Sequence, residues 1–252
     1  MKTIILQKEQ VHCGSLLLVN AACPLRNRQK CVLAPADPRF PNILLNRNAA
    51  TVLQMILDNI SADGSIVPVS GYRSEEEQTE LYEKSYADNG AAFTKKYVAL
   101  PNCSEHQTGL AIDLGLNKGD IDFICPDFPY NGISQRFRDE APDYGFIERY
   151  PKNKEHITGI SHEPWHFRYV GAPHSKIMAE NHLSLEEYIE FVKAYRTDSR
   201  LSYERDKQTE NEIYFVPAGA AETYISLPEN ALYQISGNNT DGFIITIWRK
   251  KQ

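Results

Sequence analysis

The apolar positions of this chain change period several times, and each change marks an element. Between Thr51 and Ile60, Leu53, Ile56, Leu57 and Ile60 recur at three- and four-residue spacing, which predicts a helix with one apolar face. Asp63-Gly64 follows as a turn signal. Ile66 to Ser70 then predicts a short strand that runs into Gly71-Tyr72-Arg73. Ser74 has the form of a helix N-cap, with Glu75, Glu76 and Glu77 behind it and Glu77 at the capping-box position. That helix is expected to run to about Tyr86. From Gly109 to Leu116 the period drops to two, with Leu110, Ile112 and Leu114 on one face. Asp113 shares the other face with Ala111 and Gly115, whose small side chains leave room beside it. In Glu163-Pro164 the proline biases Glu163 towards extended backbone, and the aromatic and β-branched run Trp165 to Val170 predicts a second strand. Two adjacent antiparallel strands here would bring Asp113 and His166 together. Helical spacing returns after Ser184, a second N-cap with Glu187 at the capping-box position, as the stripe Leu185, Tyr188, Ile189 and Val192.

The two ends read differently. From His12 to Phe40 the chain is irregular, with Leu16 to Val19 as one short apolar run that predicts a strand. Composition shifts at Arg196, and 197–211 is polar and linker-like. Residues 213–216, 223–227, 231–235 and 243–248 then predict short strands, the last two flanking the turn-rich segment Ser236 to Gly242. The expected organisation is a main domain over 1–196 and a linker with a small β-rich appendage over 197–252.

Length and charge narrow the class. A chain of 252 residues, 42% hydrophobic and 24% charged, suits one globular domain with an appendage. A net charge of −6 gives no electrostatic reason to expect nucleic acid or an anionic membrane as partner. No apolar stretch reaches the roughly 18 residues of a membrane span. The run Ile4-Ile5-Leu6 is too short for a signal-peptide core, so a cytoplasmic protein is expected. The five cysteines are odd in number and form no CxxC pair, which fits neither a disulfide framework nor a thiolate metal site. Cys103 is expected to be a small buried side chain.

Chemistry concentrates in two stretches. Ser104-Glu105-His106-Gln107-Thr108-Gly109-Leu110-Ala111-Ile112-Asp113 offers an imidazole and a carboxylate, and Glu163-Pro164-Trp165-His166 lies about fifty residues further on. His106, Asp113 and His166 make a three-ligand set with an open position, the pattern of a catalytic rather than a structural zinc site. Glu163 is then the spare carboxylate that a zinc hydrolase needs as general base. Arg73, after a strand and before an N-cap, suits either a polariser of a carbonyl oxygen or a plain ion pair. Ser104 suits either an anchor for a substrate carboxylate or a turn cap. Gln78, on the helix after Arg73, suits a place facing the cleft. Trp165 is expected to pack, with a pocket wall as its other role. His156 and His162 are expected to lie at the surface or behind the ligands.

Ser70 to Ser74, Ser104 to Asp113 and Glu163 to His166 together resemble the LAS-type zinc peptidases, the VanY- and VanX-like enzymes, over about residues 41–195. Within that family the chain is most similar to the VanXY type, a D,D-dipeptidase and D,D-carboxypeptidase, and the β-like tail resembles that of the VanXY-G subtype. The resemblance implies an α+β fold with an antiparallel central sheet flanked by helices. It implies one Zn2+ per chain on His106, Asp113 and His166, with Glu163 as base and Arg73 polarising the carbonyl. It places Ser104 where the family holds the substrate's C-terminal carboxylate. The implied substrates are D-Ala-D-Ala and the terminal D-Ala of the muramyl-pentapeptide precursor, a cytoplasmic activity that contributes to vancomycin resistance. Two other readings keep the fold: an L,D-carboxypeptidase or L-Ala-D-Glu endopeptidase, and a non-catalytic zinc module. Loops over 89–102 and 121–133 would set substrate choice. Oligomeric state and the role of the tail stay open.

Overall fold

The computed structural model describes residues 1–26, 31–204 and 209–250. Its strands and helices, in chain order, are β1 Lys2–Gln7, β2 Leu33–Pro35, β3 Leu44–Asn46, α1 Arg47–Asn59, β4 Ile66–Ser70, α2 Glu75–Tyr97 and β5 Ala111–Leu116. There follow α3 Gly132–Glu140, β6 Phe146–Tyr150, α4 Glu155–Thr158, β7 Glu163–Tyr169, α5 His174–Glu180 and α6 Leu185–Lys193. The last strands are β8 Leu201–Glu204, β9 Thr209–Pro217, β10 Glu222–Leu227, β11 Leu232–Gly237 and β12 Gly242–Lys250.

The chain forms two compact units. The larger comprises residues 19–24 and 28–184. It is α+β, built on a four-stranded antiparallel sheet in the order β4-β5-β7-β6. Helix α1 lays Ala49, Ala50, Leu53, Ile56 and Leu57 into a core with Ile66, Ile112, Leu114 and Phe167 of the sheet and Phe137 of α3. The expected α1 periodicity is there, but the helix begins one turn early, at Arg47. Asn46 caps it by accepting from the Asn48 N–H at 3.0 Å. Pro68 sits in β4, an edge strand, where a missing N–H costs least. The β4–β5 and β6–β7 ladders each slip, at Pro68/Ser70 and Glu148/Tyr150. Such slips re-aim side chains, and both lie beside the candidate site.

Helix α2 opens on the expected capping box: the Ser74 hydroxyl accepts from Glu77 N at 3.1 Å, and Ser74 N donates to the Glu77 carboxylate at 2.7 Å. It extends past Tyr86 to Tyr97, broken by Gly90 at φ 79°. The glycine takes a backbone setting that side chains disfavour, so the helix restarts instead of ending.

The smaller unit comprises residues 1–18, 25–27 and 185–252. Its sheets are β11-β12-β9-β8 and β1-β10. The expected tail strands are present, and β11 and β12 form the hairpin around the Ser236–Gly242 turn. Three features differ from expectation. The expected linker contains β8, which pairs with β9, and residues 205–208 lie outside the described residues. The first residues form β1, whose register on β10 runs from Lys2↔Leu227 to Gln7↔Glu222. Leu16 to Val19 are buried but form no strand. Their polar groups go elsewhere: Leu16 N to the Ser236 hydroxyl at 2.9 Å, and Leu18 O to the Asn239 amide at 2.9 Å. The unit boundary thus falls at 184/185, and the N-terminal segment belongs with the tail, where the sequence suggested a single division after residue 196.

Candidate metal centre and active site

Three neighbouring strands and one tight turn build the site. Ser104 precedes a 3₁₀ turn, Glu105–Thr108, that Gly109 closes in left-handed conformation at φ 70°. The chain then enters β5, so one short segment delivers both His106 and Asp113. On β7, His166 stands directly opposite Asp113, and on β4 Ser70 does the same from the other side. The expected strand pairing is therefore what joins the two sequence stretches.

His106, Asp113 and His166 are all buried, and each offers a ligand atom within 4.8 Å of the others. His106 Nε2 lies 3.1 Å from Asp113 Oδ2, and His166 Nδ1 lies 2.9 Å from Asp113 Oδ1. Donors that share one zinc stand roughly 3–3.5 Å apart, so the spacing fits. The outer nitrogens are directed as well: His106 Nδ1 meets the Gly71 carbonyl at 2.7 Å. A neutral imidazole whose Nδ1–H is donated there presents Nε2 as its lone pair. Gly71 can serve because it has no side chain; a Cβ there would meet Leu44 O at 2.2 Å.

Glu163, buried at the start of β7, has Oε2 3.7 Å from His166 Nδ1. Burial pushes its carboxyl up to about 8, with the Asp113 and Glu105 charges adding to the rise and His166 and Arg73 opposing it. A carboxyl whose affinity for a proton is brought this close to neutral pH is suited to both accepting and returning one. Asp113 is the opposite case. Burial would raise it, but His106 and His166 outweigh that and hold it well below the usual carboxylate range.

Arg73 donates from Nη1 to Gln78 Oε1 and from Nη2 to the Ser70 hydroxyl, both at 2.7 Å. Burial lowers its pKa, and the charges of Asp113, Glu77 and Glu163 oppose the fall. Arg73, Ser104, Glu105, His106, Asp113, Glu163, Trp165 and His166 line one cleft. Both segments expected as loops contribute to it, although 89–97 is the second part of α2 and not a loop: Tyr97 at the helix end with Val98 and Ala99 after it, and Phe123 and Ile124. The Ser104 hydroxyl makes no cap bond on its turn, so it is available to the cleft. Trp165 does both things expected of it, packing in the core and walling the cleft.

Gln78 differs from expectation. It is fully buried and is not among the cleft-lining residues. Its carbonyl is engaged by Arg73, and its NH2 donates to Ala99 O at 2.7 Å. A helix position one turn after the cap points it behind the arginine, which it orients. Cys103 is half-buried and belongs to a neighbouring cavity with His156, and burial raises its thiol pKa. His162 stacks on Tyr130 and meets its hydroxyl at 2.6 Å.

The sequence reading missed the group behind His166. Glu105, Arg149 and Arg168 are completely buried. Glu105 Oε1 accepts from Arg149 Nε at 2.8 Å and forms an ion pair with Arg168 Nη1, also at 2.8 Å. Burial would raise the Glu105 carboxyl, but the two guanidiniums outweigh it and keep it ionised.

The model of the VanY family, described as D-alanyl-D-alanine carboxypeptidase, matches residues 42–172. The chain belongs to that family. The match contains every site residue named above from Arg73 to His166 and leaves the tail outside. The chain is 44% identical over 183 residues to the bifunctional D-Ala-D-Ala dipeptidase and D-Ala-D-Ala carboxypeptidase VanXYC of Enterococcus gallinarum, covering 71% of this chain and 95% of that one. Its structure matches that of the vancomycin-resistance D,D-dipeptidase VanXYg in complex with a D-Ala-D-Ala phosphinate analogue, at TM-score 0.97 and 65% identity over 98% and 99% of the two chains. It also matches a VanY D,D-pentapeptidase from a VanB-type cassette in complex with Zn(II), at TM-score 0.56 and 31% identity over 69% of this chain and 98% of that one. Membership of this family makes the chain a metallopeptidase with an α+β fold, as the resemblance implied. Among the described residues no helix is long and apolar enough to cross a membrane.

Proposed function

We propose that this chain is a zinc D,D-dipeptidase and D,D-carboxypeptidase. It hydrolyses D-Ala-D-Ala and removes the terminal D-Ala of the muramyl-pentapeptide precursor, and so contributes to glycopeptide resistance. The observation that carries the reading is the convergence of His106, Asp113, His166 and the buried Glu163 on one cleft in a chain of this family.

One zinc per chain would be held by His106 Nε2, Asp113 and His166 Nδ1. Bound there, it supplies a Lewis acid for the scissile carbonyl. Glu163 takes a proton from the attacking water as its oxygen bonds to the carbonyl carbon. The C–N bond then breaks, and Glu163 returns the proton to the leaving amine. Arg73, steadied by Ser70 and Gln78, stabilises the charge on the carbonyl oxygen as the carbon becomes tetrahedral. Ser104 donates to the free carboxylate of the substrate, which confines cleavage to a C-terminus.

Action on longer precursors is supported by the shape beside the cleft. A cavity of about 480 Å³ adjoins it and shares Val98, Ala99, Tyr150 and Ile160 with it. A dipeptide needs no such room, whereas a pentapeptide does. We place the reaction in the cytoplasm, where that precursor is made; fractionation of cells expressing the chain tests the placement.

The function is tested by incubating the protein with D-Ala-D-Ala, D-Ala-D-Ser and the pentapeptide, with and without chelator, and quantifying released D-amino acid. Chelator-sensitive release from the first and third is expected. Glu163→Gln should lose several orders of magnitude in kcat while metal analysis still finds about one zinc per chain. Near-normal turnover by that variant would assign the base elsewhere.

A further inference from the structure

Behind His166, Glu105 Oε2 and His166 Nε2 are both buried without a hydrogen-bond partner among the described residues, and they face each other across 3.6 Å. A lone unpaired polar atom in a dry interior is costly, and two that face each other are better explained as partners slightly apart. We infer that Glu105 is a positioning residue for the metal centre: it accepts the Nε2–H of His166 and so fixes the tautomer that presents Nδ1 to the metal.

A neutral imidazole carries one N–H. If Nδ1 is the ligand, on the side of Asp113 and Glu163, then Nε2 must hold the proton. That proton lies in a region from which water is excluded and needs an acceptor. Glu105 Oε2 is the carboxylate oxygen facing it. The other oxygen is committed to Arg149 Nε and Arg168 Nη1. The guanidiniums keep Glu105 ionised, hence an acceptor only, and hold its plane. The chain makes the arrangement locally: Glu105 and His106 are adjacent on the same turn, and Arg168 stands two residues beyond His166 on β7. The two imidazoles are thereby held by different means, His106 by the Gly71 carbonyl and His166 by a carboxylate. A carboxylate raises the basicity of the ligand it holds, which a carbonyl does less.

This inference rests on the proposed zinc reading, and the experiment separates the two. In zinc-loaded wild-type protein labelled with nitrogen-15 at histidine, the His166 signal is assigned by its loss in His166→Asn. We expect a protonated Nε2 with a slowly exchanging hydrogen, and Nδ1 shifted by the metal. A His166 coordinated through Nε2, or with Nε2 unprotonated, would overturn the inference. In Glu105→Gln, chelator competition should give a zinc affinity weaker by about ten- to a hundredfold, with KM for D-Ala-D-Ala little changed in the zinc-saturated enzyme. A folded Glu105→Gln protein with wild-type zinc affinity would overturn it also. If that variant does not fold, because two buried arginines lose their counter-charge, the wild-type spectrum decides alone. A wild-type protein that takes up no zinc would overturn both readings, whereas normal zinc uptake and turnover with the wrong tautomer removes only the role of Glu105.

Discussion

Glu163 is kept out of water beside two other carboxylates, and that placement has a cost in stability as well as a use in chemistry. Its folded pKa, pushed up to about 8 by burial first and by Asp113 and Glu105 second, exceeds its ordinary value of 4.5. Below the ordinary value both folded and unfolded chains hold the proton, and the residue is neutral to folding. As pH rises from about 4.5 to about 8, the unfolded chain releases the proton freely and the folded chain does not, so stability is lost across that window. Glu163→Gln removes this penalty. In chelator-treated protein the variant should therefore melt higher than wild type at pH 8, by about 2–4 °C for each kcal/mol recovered. The two should converge near pH 5. Coincident melting curves at pH 8 would remove the argument. The same residue would then be indispensable to turnover and harmful to the fold, as expected of a functional group held in an unfavourable place. At this scale the sequence was partly legible. The candidate ligands and the candidate base were readable as one group because His106, Asp113, Glu163 and His166 sit at spacings that imply chemistry, and the fold brings all four to one cleft. Glu105 was not, because a glutamate beside a ligand carries no mark of burial; only the approach of Arg149 and Arg168, far along the chain, places it behind His166. Gln78 failed for the same reason, since its partners Arg73 and Ala99 decide which way it faces.

The elements that carry the site were legible where period and punctuation agree. β4, β5 and β7 combine alternating or β-branched runs with a glycine or proline at an end, and their pairing sets Asp113 opposite both Ser70 and His166. The end of α2 was not legible: the helix passes the expected end near Tyr86 and reaches Tyr97, with Gly90 only breaking it on the way. Leu16 to Val19 misled because burial without a ladder leaves the same apolar signature as a strand. The tightest coupling between element and site lies at Gly71, where the backbone leaving β4 approaches β3 too closely for a Cβ. Gly71→Ala should force these segments apart, at about 1–3 kcal/mol. It should also weaken zinc binding, because the Gly71 carbonyl holds His106 Nδ1. Denaturant unfolding and chelator competition measure the two effects separately. Ser74→Ala is the control: it removes the α2 cap, costs about 1 kcal/mol, and leaves zinc affinity unchanged. If Gly71→Ala lost stability alone, its carbonyl would be dispensable for holding the imidazole.

At the scale of the whole chain, the tail is not a simple addition after a finished domain. VanXYC matches over 183 residues that make up 95% of its own length and 71% of this chain, so a peptidase of this family does without a counterpart to much of the rest. Yet here the first strand is committed to the tail. β1 pairs along its whole length with β10, and Leu6 and Val11 are buried with Tyr214, Ile225, Leu227 and Phe243. Cutting the chain after residue 196, where composition shifts, would leave β1 without its partner and expose Leu6 and Val11. Each large apolar group returned to water costs about 1.5–3 kcal/mol, and an unpaired strand edge invites association. A fragment of residues 1–196 should therefore bind an apolar dye and elute as aggregates. A fragment of residues 19–184, which follows the larger compact unit, should elute as a discrete species and retain zinc. Size exclusion with dye binding and metal analysis decides it. Clean behaviour of the 1–196 fragment would mean that β1 folds without β10, and that the boundary suggested by composition is the physical one.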